Sequence, residues 1–235
     1  MAVILNIETS TEVCSAALTA EGMVLAHRED EHGRNHAALL SDYIKHCLDF
    51  AREKEINLDA VAVSMGPGSY TGLRIGLSEG KGLAYALDIP LIGVNTLELL
   101  ATTVMFSGEI EGDELFAPMI DARRMEVYTA VYDMALQPVM PQQPLILDAD
   151  SYRDELSRGR VLFFGNGSEK AREVITSPNA VFVPDVVPLA VNMLALSERA
   201  FARREFLDLA YSVPNYIKDF QATKPKNPII SATNE

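Results

Sequence analysis

This chain is poor in several residue types. It has two cysteines, Cys14 and Cys47, no tryptophan, four histidines, and 20 basic residues against 33 acidic ones, a formal net charge of −13 over 235 residues. Two cysteines are too few for a disulfide framework or a cysteine zinc site. The deficit of Lys and Arg argues against a chain that grips a phosphate backbone by itself, because that affinity comes from cations displacing counterions. It also disfavours anionic membrane surfaces. No apolar run approaches the ~18 residues of a membrane helix, and the first residues lack the basic-then-apolar form of a signal peptide. The expected address is cytoplasmic.

What remains is an ordinary globular composition, 48% hydrophobic and 23% charged, with the length of one large domain or two small ones. Residues 3–7 form an apolar run ahead of the polar turn Glu8-Thr9-Ser10-Thr11, and 13–18 with 23–28 read as a hairpin about Glu21-Gly22. From 35 to 53 the period changes: Leu39, Leu40, Tyr43, Ile44, Cys47 and Leu48 recur at three and four, which predicts an amphipathic helix. A buried strand at 61–65 ends in Gly66-Pro67-Gly68. A helix over 70–87, a strand over 90–94 and a helix capped by Asn95 or Thr96 follow. Three strands, then helix, strand, helix, strand, helix predicts a covered mixed sheet in an α/β fold.

The polar stretch 107–113 marks a boundary, giving a first unit over 1–106. The second half restarts the theme in shortened form. It reads as a hairpin at 115–120 and 125–132 around Asp121-Ala122-Arg123-Arg124, then a connection kept extended by Pro138, Pro141 and Pro144. A short helix over 151–157 and a strand over 161–164 come next. Gly165-Asn166-Gly167 opens a helix at Ser168, and a last long helix runs from Pro188 to about Arg204. The second unit is thus 107–217, its last helix free to pack back on the first, and 218–235 is a polar, loosely ordered tail.

The 66–72 glycine run lies between a strand and a helix, where free N–H groups and the helix dipole suit an anion. It matches neither standard template. A dinucleotide G-x-G-x-x-G needs glycine at Thr71; a P-loop ending in Gly80-Lys81 needs glycine at Ile75 and Ser or Thr at Gly82. A tight turn accounts for it better. Gly72, Gly76 and Gly80 recur every four residues along one helix face. Each costs about 1 kcal/mol relative to alanine, so they call for close approach of another backbone, either the chain's own sheet or a helix of another subunit. The pentad from Gly76 to Gly80 fits G-x-S-x-G, yet it lies inside a helix and all four histidines precede Ser78, so the hydrolase reading fails. His32 and His36 have no third ligand, and no metal site is assigned. Glu8-Thr9-Ser10 occupies the place where α/β folds bring an acid and a hydroxyl near phosphate and Mg²⁺. Gly165-Asn166-Gly167 reads as an anion nest or a turn.

Together the motifs are specific. I-E-T-S-T-E-x-C-S-x-A-L at 7–18, R-N-H-A-A-L-L at 34–40, S-M-G-P-G-S-Y-T-G-L-R-I-G at 64–76, I-P-L-I-G-V-N-T-L-E at 89–98 and D-A-R-R-M-E-V-Y at 121–128 resemble the TsaB family, also called YeaZ. The resemblance is close over the first 130 or so residues and loose beyond, through Gly165-Asn166-Gly167 and Pro214-Asn215-Tyr216. It implies an actin-like ATPase (ASKHA) fold of two ribonuclease-H-like lobes, the second degenerate, and a role in making threonylcarbamoyladenosine at position 37 of tRNA. In that family this subunit is the non-catalytic partner of the paralogue TsaD, which performs the transfer, with the ATPase TsaE as a third member. The contact with TsaD, and the similar homodimer, is described as a bundle of the first two helices of each first lobe.

Mapped here, the resemblance implies partner contacts from His36, Leu39, Leu40, Tyr43 and Ile44 on the first helix. On the second it implies Tyr70, Thr71, Gly72, Arg74, Ile75, Gly76, Ser78 and Gly80, which moves the glycine stripe toward an intersubunit contact. Glu8, Gly66, Gly68, Gly165 and Gly167 remain as vestigial phosphate-binding positions. TsaD carries a metal-binding histidine pair where this chain has residues 95–100 without histidine, and the family usually has aspartate where Glu8 stands. The expectation is a scaffold with no catalytic residue, metal or cofactor of its own, ATP and Mg²⁺ entering the wider complex through partner subunits. Its partners are TsaD-like and TsaE-like subunits; alone it is a homodimer, with no tight tRNA binding and no membrane. The alternative is a stand-alone ATP-binding phosphotransferase or ATPase acting through Glu8, the 66–72 loop and Gly165 to Gly167.

Overall fold

Five strands close the first sheet: β1 (Val3–Glu8), β2 (Cys14–Ala20), β3 (Met23–Asp30), β4 (Ala60–Gly66) and β5 (Leu91–Asn95), in the order β3-β2-β1-β4-β5. The computed structural model describes residues 2–30, 36–107, 110 and 112–217. Glu21 and Gly22 both take left-handed φ (55° and 74°), the two-residue turn that matches strand twist in a hairpin. β1 pairs antiparallel with β2 and parallel with β4. Parallel pairing needs a crossover, which α1 (His36–Glu53) and α2 (Tyr70–Leu87) provide. β4 is apolar on both faces, as a strand covered from both sides must be. Val61 and Val63 pack with Leu40, Ile44 and Leu77 beneath α1 and α2. Ala60 and Ala62 pack with Met193, Leu196 and Ala200 on the other side.

A second sheet repeats this order: β6 (Leu115–Asp121), β7 (Glu126–Tyr132), β8 (Pro138–Ile146), β9 (Val161–Phe164) and β10 (Ala180–Phe182), paired β10-β9-β6-β7-β8. Read from its own first strand, β6 pairs antiparallel with β7 and parallel with β9, as β1 does with β2 and β4. This is the actin-like arrangement. What the second lobe has lost is helix: α4 (Arg153–Arg158) has six residues and α5 (Ser168–Arg172) five, against 18 in each of α1 and α2.

Between the sheets lies α3 (Thr96–Met105), begun by Asn95, whose Oδ1 accepts from the Leu97 and Glu98 N–H groups. It is buried nearly all round because it serves both sheets. Leu99 joins the first-sheet cluster, while Leu97, Leu100, Ala101 and Val104 meet Phe116, Ile120 and Phe164 of the second. A 3₁₀ turn over Ala190–Met193 and α6 (Leu194–Arg203) return to the first sheet.

Three sequence expectations change. The proline-bearing connection is a strand, tolerated because β8 lies at the sheet edge, where a missing N–H deprives no neighbour, and its pairing is irregular between Thr129 and Tyr132. β10 was not expected. The last helix has ten residues and begins after the 3₁₀ turn rather than at Pro188. The tail over 218–235, His32, and the expected helix start at Asn35 lie outside the described residues.

Two glycines of α2 predict opposite responses. A methyl at position 72 would stand 2.1 Å from the Thr9 carbonyl oxygen, whereas one at 82 meets nothing within 4 Å. Gly72→Ala should therefore destabilise by about 3 kcal/mol or more, and Gly82→Ala should stabilise by about 0.5–1 kcal/mol. Urea denaturation of both variants reads the difference in sign.

Candidate functional site

Glu8 ends β1 and is wholly buried. Its Oε1 accepts the Ser10 N–H at 2.5 Å, while Oε2 and the Ser10 hydroxyl have no partner among the described residues. Burial dominates, and hydrogen bonding from Ser10 only partly offsets it, so the carboxyl is pushed up from 4.5 to about 7.

The glycine loops around it are packed turns. Gly66 ends β4 with φ +101°, and a Cβ at position 68 would stand 2.2 Å from the Ser10 carbonyl oxygen, which itself accepts the Ser69 N–H at 2.6 Å. The second lobe repeats the device. Gly165 follows β9 with φ +90°, a Cβ there would lie 2.5 Å from the Met119 carbonyl oxygen, and the Gly167 N–H donates to that oxygen at 3.1 Å. The Ser168 N–H donates to Gly165. Three loop amides, those of Ser69, Gly167 and Ser168, are thus bonded within the chain. Cavities of about 370 and 200 Å³ lie elsewhere, lined by residues such as Phe201 and Ala202 or Val183 and Leu189. Close packing by itself calls for glycine at positions 66, 68, 165 and 167, the positions expected to bind phosphate.

Facing this loop across the sequence, Asp121 to Arg124 forms a locked hairpin tip. Lys170 Nζ donates to Asp121 Oδ1 (2.9 Å) and to the Arg124 (2.7 Å) and Glu126 (2.9 Å) carbonyls, and Asn166 Oδ1 accepts the Asp121 N–H.

The two long helices divide the expected partner residues. Leu40 and Ile44 are core, and His36 Nε2 donates to the Val13 carbonyl at 2.9 Å, fixing the start of α1. Gly72 and Gly76 lie against Thr9, and Gly80 against Val63 and Leu91. These six positions are therefore used inside the chain, and the glycine stripe faces its own sheet, because only a helix without side chains on that face can reach so close. Thr71, Arg74 and Ser78 are exposed, and Leu39, Tyr43, Tyr70 and Ile75 half-buried. Sequence reading missed Ala37, Ala38 and Ser41, exposed on α1 beside them. The signal was available only in part: a buried stripe at 40, 44, 47 and 51 assigns 38 and 45 to the opposite face and puts 37 and 41 at its edge.

It also missed a strap. Leu207 N–H donates to the Leu91 carbonyl (2.8 Å), Lys81 Nζ to the Ser212 carbonyl (2.7 Å) and Asn215 N–H to the Met65 carbonyl (2.7 Å), covering the β5 edge and the flank of α2. This brings Tyr216 against Tyr70, ring centroids 5.1 Å apart.

The two lobes and their twin glycine turns define the class. A family model described as TsaD, tRNA N6-adenosine threonylcarbamoyltransferase, matches residues 26–227. The tRNA threonylcarbamoyladenosine biosynthesis protein TsaB of Bacillus subtilis is 35% identical over 176 residues, 73% of this chain and 74% of that one. TsaB of Escherichia coli is 29% identical over 227 residues, 94% and 96%. YeaZ from Pseudomonas aeruginosa superposes with a TM-score of 0.78 at 29% identity, covering 92% of this chain and all of that one. The chain belongs to the TsaB (YeaZ) family.

Glu8 makes stability pH-dependent. The folded carboxyl keeps its proton to about pH 7 while the unfolded one loses it near 4.5. Its contribution is full below 4.5 and is lost as pH rises through 7, amounting to about 3 kcal/mol at most. Glu8→Gln should remove that slope: the stability of the variant relative to wild type should rise between pH 5 and 8 in chemical denaturation.

Proposed function

We propose that this chain acts in threonylcarbamoyladenosine biosynthesis as a non-catalytic subunit that holds a TsaD-type threonylcarbamoyltransferase through the outward face of α1 and α2. One observation carries the reading. Around Arg74 and Tyr85 the face presents small side chains, Ala37, Ala38 and Ser41 from α1 and Thr71, Ser78 and Gly82 from α2, on helices whose buried faces are fixed in the chain's own core. The Ser41 hydroxyl donates to Glu79 at 3.1 Å and ties the pair together. Helices pack at 8–10 Å depending on the side chains between them, so a face of small residues admits a second helix pair closely. The names of the relatives support the pathway.

Buried Glu8, its carboxyl pushed up to about 7, and the bonded Ser69, Gly167 and Ser168 amides favour this scaffold over a stand-alone ATPase. In this reading a TsaE-like ATPase completes the assembly, and ATP with Mg²⁺ enters through the partner subunits. The free chain pairs with a second copy through the same face. A net charge of −13 leaves tRNA to the partner. Among the described residues no helix is long and apolar enough to cross a membrane.

Ser78→Arg places a long charged side chain on the small face. It should weaken co-purification with the cognate TsaD-type subunit at least 100-fold and move the melting temperature of the free chain by no more than about 2 °C. A wild-type chain that fails to associate would overturn the reading. Micromolar Mg-ATP binding with turnover by the free chain would favour the enzyme.

A further inference from the structure

Arg74 is held in a way that surface arginines seldom are. Its Cζ lies 4.0 Å from the centroid of the Tyr70 ring, one turn back on α2, and 5.8 Å from that of Tyr216. Its Nε donates to the Tyr216 hydroxyl at 2.9 Å. Tyr216 is itself fixed, since the neighbouring Asn215 N–H is bonded to the Met65 carbonyl and the two tyrosine rings pack at 5.1 Å. The guanidinium is thus stacked and tethered by one edge, while Nη1 and Nη2 make no hydrogen bond or ion pair among the described residues. α2 has one other cation, Lys81, whose Nζ already bonds the Ser212 carbonyl.

We propose that Arg74, clamped by Tyr70 and Tyr216, is a preformed carboxylate receptor on the α2 face, filled in the complex by an Asp or Glu side chain of the TsaD-type partner. This rests on the reading of the α1–α2 face given above and adds the chemistry of one contact. Three physical points select it. A planar fork with its Nη pair open matches a carboxylate through two parallel bonds. Stacking on tyrosine restricts the side chain before binding, so less freedom is lost on association. Arg flanked by Tyr is also the composition in which binding energy concentrates at protein interfaces. A second copy can seat on the same face when the chain is alone, but two chains of −13 repel, which weakens that pairing. Tyr216 is a positioning residue: it acts through Arg74, reaching it from 142 positions away along the strap.

Calorimetric titration of the full-length chain with its cognate TsaD-type subunit tests the contact. Arg74→Ala and Arg74→Lys should each weaken binding 10-fold or more, and Tyr216→Phe, which keeps the ring and loses the tether, roughly 3- to 5-fold. Melting temperatures of the free chains should stay near wild type. At saturating concentration, the Arg74→Lys chain puts an amine where a carboxylate is expected. Zero-length carbodiimide coupling should then join position 74 to an acidic residue of the partner, identified by mass spectrometry. Full affinity in Arg74→Lys with no cross-link at position 74 overturns the receptor, and so does an affinity loss that only follows a fall in melting temperature. Weakening of self-association alone overturns it in favour of a second copy. If Arg74 variants bind normally while Ser78→Arg does not, the receptor fails and the face stands. If Ser78→Arg also binds normally, the face itself is wrong.

Discussion

Helix α2 lies nearer to the strand end beneath it than any side chain would permit. Gly72 and Gly76 sit against Thr9, and Gly80 against Val63 and Leu91, at separations where a methyl group would meet Thr9 or Val63 atoms at 2.1–2.4 Å. The Thr9 hydroxyl uses this proximity to donate to the Gly72 carbonyl at 2.8 Å. Three helical glycines give up about 3 kcal/mol of helix propensity, which the contact must offset. Leu73, Leu77 and Ala84, buried on the same side, supply apolar burial toward it. Everything outward follows from that seating. With 72, 76 and 80 pinned inward, helical geometry turns Thr71, Arg74, Ser78 and Gly82 to the surface as one stripe. It also sets α2 where the strap can lie along it.

The same solution appears twice, once in each lobe. In both, the fourth strand of the sheet ends in a glycine with left-handed φ, and the loop then presses on the backbone at the end of the first strand. The distances explain why glycine is required. They also explain why a strand-glycine-helix motif need not bind an anion. A helix N-terminus attracts phosphate only through N–H groups that have no other acceptor. Here Ser10 and Met119 provide acceptors from the strand ends, and the loops close on themselves.

How far the residues announced this depends on the kind of contact. Elements with a strong period were legible: α2 falls over 70–87 as expected, and Asn95 caps α3 as its side chain suggested. The edge strand β8 was obscured by its prolines, since propensity assumes an N–H that an edge does not need. The orientation of the glycine stripe was ambiguous because periodicity shows that a face is unusual without saying what lies against it. That came from Thr9 and Val63, 63 and 17 positions away from Gly72 and Gly80. The clasp of Tyr216 on Arg74 was invisible, because no local pattern links residues 142 apart.

The protonation of Glu8 ties the interior to this division of labour. β1 ends in an orphaned carboxyl oxygen, with the Ser10 and Thr96 hydroxyls and the Asn6 amide oxygen also lacking partners among the described residues. Such groups cost about 1–3 kcal/mol each when left unbonded, and an ionised carboxylate would cost far more. With its pKa pushed up to about 7, Glu8 carries less charge in this buried setting than an ordinary carboxyl would. Direct contacts join the lobes: Asn95 Nδ2 to Gln142 Oε1 at 2.6 Å, and α3 packed against the second sheet. Domains that close around a ligand keep a hinge for the purpose. The two lobes here are joined through a shared helix, α3, packed against both sheets.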